Sequence, residues 1–172
     1  MVINQPLLQT ILEQYSLSWN GIHGLGHWAR VAENGHALAE INGANLEIVE
    51  LFAVLHDAGR RNDGFDKDHG RRSADFAASL RGSLIHLDDP DFELLYKACA
   101  YHTDGLTEAD LSIQTCWDAD RLDLGRAGIL PQPHFLCTQA AKDPEMIQCA
   151  TQRSMEEQLP ILVHQEWGIN PP

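Results

Sequence analysis

Glu47-Ile-Val-Glu-Leu-Phe-Ala-Val-Leu-His-Asp57 decides how this chain is read. Its apolar residues run almost without interruption, as in a helix enclosed on every side, so the stretch predicts the central helix of the domain. It then ends on a carboxylate. An ionised carboxylate taken out of water is costly unless it recruits a cation or hydrogen-bond donors. A histidine stands directly before it, and further His and Asp residues flank it on both sides. That setting points to a metal as the cation, because first-row transition metals accept both imidazole nitrogen and carboxylate oxygen. The plainer reading of the pair is a helix end closed by a local His–Asp hydrogen bond.

Helical spacing continues outward from this stretch, with no run of alternating β-branched residues and no hairpin dipeptide, so we read an all-α, single-domain helical bundle. Pro6, Leu7, Leu8, Ile11, Leu12 and Tyr15 give segment 5–15 one apolar face, as expected of a covering helix. After the glycines between Gly21 and Gly26, Trp28, Val31, Ala32, Leu38, Ala39 and Ile41 predict a helix that stops near Asn42-Gly43. Residues 59–68 form a polar loop, and helical spacing returns over 69–80. Asp88-Asp89-Pro90 reads as a helix start, since Asp satisfies orphan N–H groups and Pro suits the first turn, and that helix runs through Tyr101. Thr107-Glu-Ala-Asp110 resembles a capping box and predicts a helix from Thr107 through Leu122. Gly128 to Pro133 breaks the chain, and 144–159 is a last amphipathic helix. No linker divides the chain, so residues 1–172 make one domain, its core at about 21–126 between N- and C-terminal covering helices.

A chain of 172 residues can bury a core without disulfides. The net charge of −13 works against a nucleic-acid polymer as partner, because such affinity comes from Lys and Arg neutralising phosphates. A small anionic substrate remains compatible where a metal and nearby arginines override the global field. Cys99, Cys116, Cys137 and Cys149 show no CxxC spacing, and Met1-Val-Ile-Asn-Gln-Pro-Leu-Leu8 has no basic region leading into an apolar core. Together these predict a cytoplasmic protein with reduced thiols. No apolar run reaches bilayer length, so no membrane partner is expected. The oligomeric state is not written in the sequence.

The order His27, His56-Asp57, His69, His102, Asp120 resembles the HD superfamily of metal-dependent phosphohydrolases, whose signature is H…HD…D, from about Gly21 to Arg126. Gly26-His-Trp-Ala-Arg-Val31 is similar to the family's opening H-x-x-x-V. Trp117-Asp-Ala-Asp-Arg-Leu-Asp123 is similar to its closing A-D-R-L, which places the ligand at Asp120 and not Asp118. The resemblance implies that His27, His56, Asp57 and Asp120 hold one metal, with Asp57 bridging to a second. His69, in Asp68-His69-Gly-Arg-Arg-Ser-Ala74, and His102, in Ala100-Tyr-His102-Thr-Asp104, match positions that hold the second ion. The family often has adjacent histidines where this chain has Tyr101-His102, which leaves one ion or two open. The implied cofactor is a divalent transition metal: Mn, Fe, Co, Ni or Zn. Arg60 follows His56-Asp57-Ala-Gly59 where the family commonly carries a basic residue. The resemblance therefore gives it, with Asp57, a catalytic part, and its planar fork suits a phosphate.

Other groups are read more plainly. His23 could share a face with His27 if the helix begins early enough, which Gly24 and Gly26 leave open. Asp118 is a candidate to hold a ligand histidine in its tautomer. Lys67, Arg71 and Arg72 serve either an anion or nearby aspartates, and Arg121 is as well explained as an ion-pair partner. His36, His86, His134 and His164 read as hydrogen-bonded or surface residues, Trp28 and Trp117 as core. No GxSxG, P-loop, dinucleotide-binding glycine pattern or HExxH is present. The implied function is hydrolysis of a small phosphate ester, such as a nucleotide or sugar phosphate. The same ligand array also serves HD-type diiron oxygenases such as myo-inositol oxygenase, which cleave a carbon bond of a small polar substrate. A non-catalytic HD-fold binding module is the third alternative.

Overall fold

Asn45 starts the central helix: its side chain accepts the Glu47 N–H at 3.0 Å and caps α3 (Leu46–Leu55). The computed structural model describes residues 2–165 and 167–168, and within them every residue from Ile48 to Ala58 is buried. Burying a Leu, Ile or Phe side chain contributes about 1.5–3 kcal/mol each, so α3 anchors the fold as its composition predicts. Glu50 is the exception in this apolar helix, at 2% exposure. It is paired with His36 Nε2 at 2.9 Å and accepts the Val2 N–H at 2.7 Å.

Around α3 lie α1 (Gln5–Gln14), α2 (Leu25–Asn42), α5 (Asp89–Tyr101) and α6 (Leu111–Arg121), with α4 (His69–Ser79) packed chiefly on α5. Asp88 caps α5 by accepting the Asp91 N–H, with proline in the first turn as expected. Two glycines set how closely helices meet. A Cβ on Gly35 would lie 2.4 Å from Val49 Cγ1, which fixes the α2–α3 approach. One on Gly70 would lie 2.7 Å from the Cys99 carbonyl oxygen, which fixes the α4–α5 approach. After α6 the chain makes 3₁₀ turns at Leu124–Ala127 and Pro133–Phe135, and α7 (Pro144–Met155) packs on the first of these and on α2. A one-turn helix, α8 (Leu162–Gln165), follows. No strand occurs among the described residues, only an isolated bridge between Arg81 and Ile85.

Two helix boundaries differ from expectation. Asp110, not Thr107, caps α6 by accepting the Ser112 N–H at 2.8 Å, while the Thr107 carbonyl is occupied by the Gln114 side chain. At the other end α7 stops at Met155, short of residue 159. Glu157 there adopts φ 50, and the Gln158 N–H closes onto the Arg153 carbonyl at 3.0 Å, a left-handed helix stop usually built with glycine.

Candidate metal centre

The end of α3 delivers His56 and Asp57 into the middle of the bundle, at 0% and 1% exposure. His27 comes from the first turn of α2, His69 from the first residue of α4, His102 from just past α5, and Asp120 from the last turn of α6. The fold thus gathers into one cluster all six residues that the resemblance to the HD superfamily singles out.

The cluster has two lobes, and Asp57 faces both. Its Oδ2 lies 3.7 Å from both His27 Nε2 and His56 Nε2, and Asp120 Oδ1 closes that lobe at 3.5 and 3.8 Å from the same nitrogens. Its Oδ1 lies 3.1 Å from His69 Nε2 and 3.6 Å from His102 Nε2. Each lobe therefore pairs two imidazoles with an oxygen of one shared carboxylate.

The second nitrogen of each imidazole shows what the lobes are built to hold. His56 Nδ1 lies 3.1 Å from the Phe52 carbonyl, His69 Nδ1 2.6 Å from that of Asp66 and His102 Nδ1 2.8 Å from that of Cys99, while His27 Nδ1 lies 2.8 Å from Asp123 Oδ2. A carbonyl or carboxylate oxygen only accepts, so the proton sits on Nδ1, and a neutral ring then turns its Nε2 lone pair into the lobe. Yet His27 and His56 meet Nε2 to Nε2 at 3.0 Å, and His69 and His102 at 2.9 Å. Facing lone pairs repel unless a proton or a cation lies with them. Burial pushes the pKa of His56 down to about 4, and that of His27 is driven well below the usual histidine value by burial and by Arg126, so a proton is disfavoured in their lobe. Burial opposes protonation of His102 too, but the Asp57 carboxylate 3.6 Å from its Nε2 outweighs this and raises its pKa, so in the second lobe a proton or a cation can stand between the rings. Burial works against the Asp57 charge, which His56 and the surrounding donors nevertheless hold ionised. Converging lone pairs around an ionised carboxylate are a donor set that fits transition-metal ions: His27, His56 and Asp120 with Asp57 Oδ2 beside them in one lobe, Asp57, His69 and His102 in the other, and His23 with His27 and Asp57 as a third close group.

Several neighbours were less legible in the sequence. Asp123, 0% exposed, receives His27 Nδ1 and is itself gripped by Arg30 at 2.7 and 3.2 Å. It does what Asp118 was expected to do. Asp118 instead accepts from the Cys137 N–H and from the Thr138 N–H and hydroxyl at 2.6–2.8 Å, tying down the segment after the second 3₁₀ turn. The i,i+3 spacing of Asp120 and Asp123 on one helical face was the available signal. His23 joins the cluster, its Nδ1 2.9 Å from Asp57 Oδ2. Arg60 donates from Nε to Asp57 Oδ1 at 3.0 Å and from one Nη to the Asn62 and Gly64 carbonyls. Arg72 binds Asp66 and the Gly59 carbonyl, and Arg71 is exposed over the Tyr101 ring. Among the described residues Arg121 makes no ion pair; it donates to the Phe135 and Leu106 carbonyls. Trp28 and Trp117 are core residues, at 0% and 2% exposure. His36 pairs with Glu50 and His86 and His134 are exposed, whereas the His164 side chain lies outside the described residues.

Residues 24–125 match the family model of the HD domain, more than half of the chain. The chain belongs to the HD domain family. Among solved structures, the crystal structure of a predicted HD superfamily hydrolase from an uncultured Thermotogales bacterium superposes with a TM-score of 0.68 at 24% identity, covering 88% of this chain and 86% of that one. This likeness establishes a shared fold. No curated protein matches the chain. Among the described residues, no helix is long and apolar enough to cross a membrane.

Proposed function

We propose that this HD-domain protein is a metal-dependent hydrolase of a small phosphate ester. The observation that carries this reading is the division of five ligand side chains and one shared carboxylate into two adjoining lobes, each with its imidazole lone pairs turned inward. Metal ions held there would acidify water and offset charge on phosphoryl oxygens. His27, His56, Asp57 and Asp120 would hold the first, and Asp57, His69 and His102 the second; Mn, Fe, Co, Ni and Zn suit this mixture of nitrogen and oxygen better than Ca. Asp123 fixes the ring of His27 through Nδ1 and is held in turn by Arg30. Arg60 sets Asp57 in place with Nε and offers its remaining nitrogen to an anion. The Thermotogales protein of similar fold is described as a hydrolase, which supports the same class.

An oxygenase would use the same ligands, so the decisive experiment separates the reactions by their redox needs. Hydrolysis is redox-neutral, and anaerobic protein loaded with Mn, Co or Ni should release phosphate or a nucleoside phosphate from a panel of nucleotides and sugar phosphates. No release with any metal, together with oxygen consumption on a polyol or phosphonate panel only when iron is present, would establish the oxygenase reading instead.

A further inference from the structure

We infer that Arg126 is the main substrate-anion ligand of this site and that Glu157 makes its outer wall selective for a single phosphate; the inference rests on the phosphate-ester reading above. Of the six candidate ligands Asp120 is the one that reaches solvent: its side chain is 16% exposed, while those of His27, His56, Asp57, His69 and His102 are exposed by 3% or less, and His23 and Arg60 beside Asp57 are each 11% exposed. Arg126 lies beside Asp120, its side chain only 8% exposed. Nε donates to the Ile22 carbonyl at 3.1 Å and Nη1 to the Asp123 carbonyl at 2.9 Å, so backbone from two segments holds the fork still. Nη2 lies 3.7 Å from Asp120 Oδ1, too far for a hydrogen bond, and makes none among the described residues. The guanidinium is thus fixed in direction and nearly buried between the Asp123 and Asp120 carboxylates, each 3.7 Å away, with Nη2 left open to an acceptor beside the candidate metal lobe. An oxygen of a phosphoryl group placed against Asp120 supplies that acceptor, and charge-assisted donation of this kind is among the stronger polar contacts.

Beside Arg126 lies a cleft of about 300 Å³ whose lining includes Ile22, His27, Arg30, Glu157 and Leu159. That volume is at the small end of ligand sites and suits a ring-sized leaving group. Glu157 occupies the left-handed position, φ 50, that closes α7, where glycine would be free of strain and a glutamate is not. Glu157 lines the same cleft as Arg126. There it accepts hydrogen bonds from hydroxyl groups of the leaving group and repels a second phosphate.

Calorimetric titration of the metal-loaded protein with inorganic phosphate and with pyrophosphate tests both residues without turnover. R126Q should weaken phosphate binding about tenfold or more at unchanged metal content, the loss expected of a charge-assisted bond. E157Q should strengthen pyrophosphate binding several-fold while leaving phosphate within twofold. If R126Q melts early or loses metal, R126K decides: it keeps the charge but not the fork, and should bind phosphate at least fivefold more weakly. Phosphate binding within twofold of wild type in a metal-replete R126Q or R126K protein, or equal responses of E157Q to both anions, would overturn the assignment. The two readings fail separately. Arg126-dependent phosphate binding without hydrolysis of any ester would leave this anion site standing and remove the phosphohydrolase reading, while hydrolysis with Arg126-independent phosphate binding would do the reverse.

Discussion

At the scale of single residues, the cluster separates groups that face the lobes from groups that merely sit close by. His56→Ala and Asp57→Ala should abolish turnover and metal retention together. His36→Ala should keep turnover per folded molecule near wild type, since His36 serves Glu50 and not the cluster; equal losses in all three variants would mean that activity tracks stability alone. The two buried aspartates of α6 and its C-terminal turn make a sharper pair. Asp123→Asn leaves His27 Nδ1 without its carboxylate and should weaken metal binding about 10–100-fold. Asp118→Asn cuts into bonds to Cys137 and Thr138 and should cost about 1–3 kcal/mol of stability while metal affinity stays put. Metal titrations and melts on the two variants, read side by side, would expose any exchange of these roles.

At the scale of elements, helix approach sets the ligand geometry. Gly70 lets α4 lie against the end of α5, and a Cβ there would also come within 3.1 Å of His102 Nδ1. Gly70→Ala should therefore cost about 1–3 kcal/mol through overpacking, and should draw His69 away from His102. Elemental analysis is expected to show the His69/His102 ion lost ahead of the other; an unchanged metal content would show that α4 adjusts without moving its histidine. Within α3, burial works against the Glu50 charge, but the His36 bond and the Val2 N–H outweigh it and depress its pKa below the ordinary 4.5. A carboxylate depressed in the folded state stabilises fully above its unfolded value, and that contribution is lost as pH falls through the folded value. Glu50→Gln should accordingly lose stability at neutral pH and show a shallower decline below about pH 4.5, as denaturant melts across the acid range would reveal.

At the scale of the whole molecule, the cluster draws on α2, α3, α4, the end of α5 and α6, so metal binding bears on the stability of the entire bundle. A ligand that binds only the folded state at a hundredfold excess over its dissociation constant adds about 2.7 kcal/mol. For a domain of this size that corresponds to roughly 5–10 °C in Tm. Chelation should lower Tm by that order, and Mn, Co, Ni or Zn should restore it where Ca does not. Identical melts with and without chelator would argue against a built metal centre.

The fold class, the central helix and the His56-Asp57 pair were legible in the sequence because each rests on local information, while His27, His69, His102 and Asp120 were named by the resemblance to the HD superfamily. Helical periodicity is written in residues three and four apart, and His56 and Asp57 are adjacent, so their shared environment follows from the helix that buries them. The helix ends at Thr107 and residue 159 were misplaced where a rival cap or a left-handed turn won locally. What only the tertiary structure decided depends on partners far apart in the chain. Asp123 meets His27 across 96 positions, and Arg126 reaches the Ile22 carbonyl across 104. No periodicity encodes such a pairing. Which aspartate of Trp117-Asp-Ala-Asp-Arg-Leu-Asp123 backs the His27 ring, and which arginine stands beside Asp120, follows from how α6 and the turn after it pack against α2, because packing alone sets the direction in which each side chain leaves its helix.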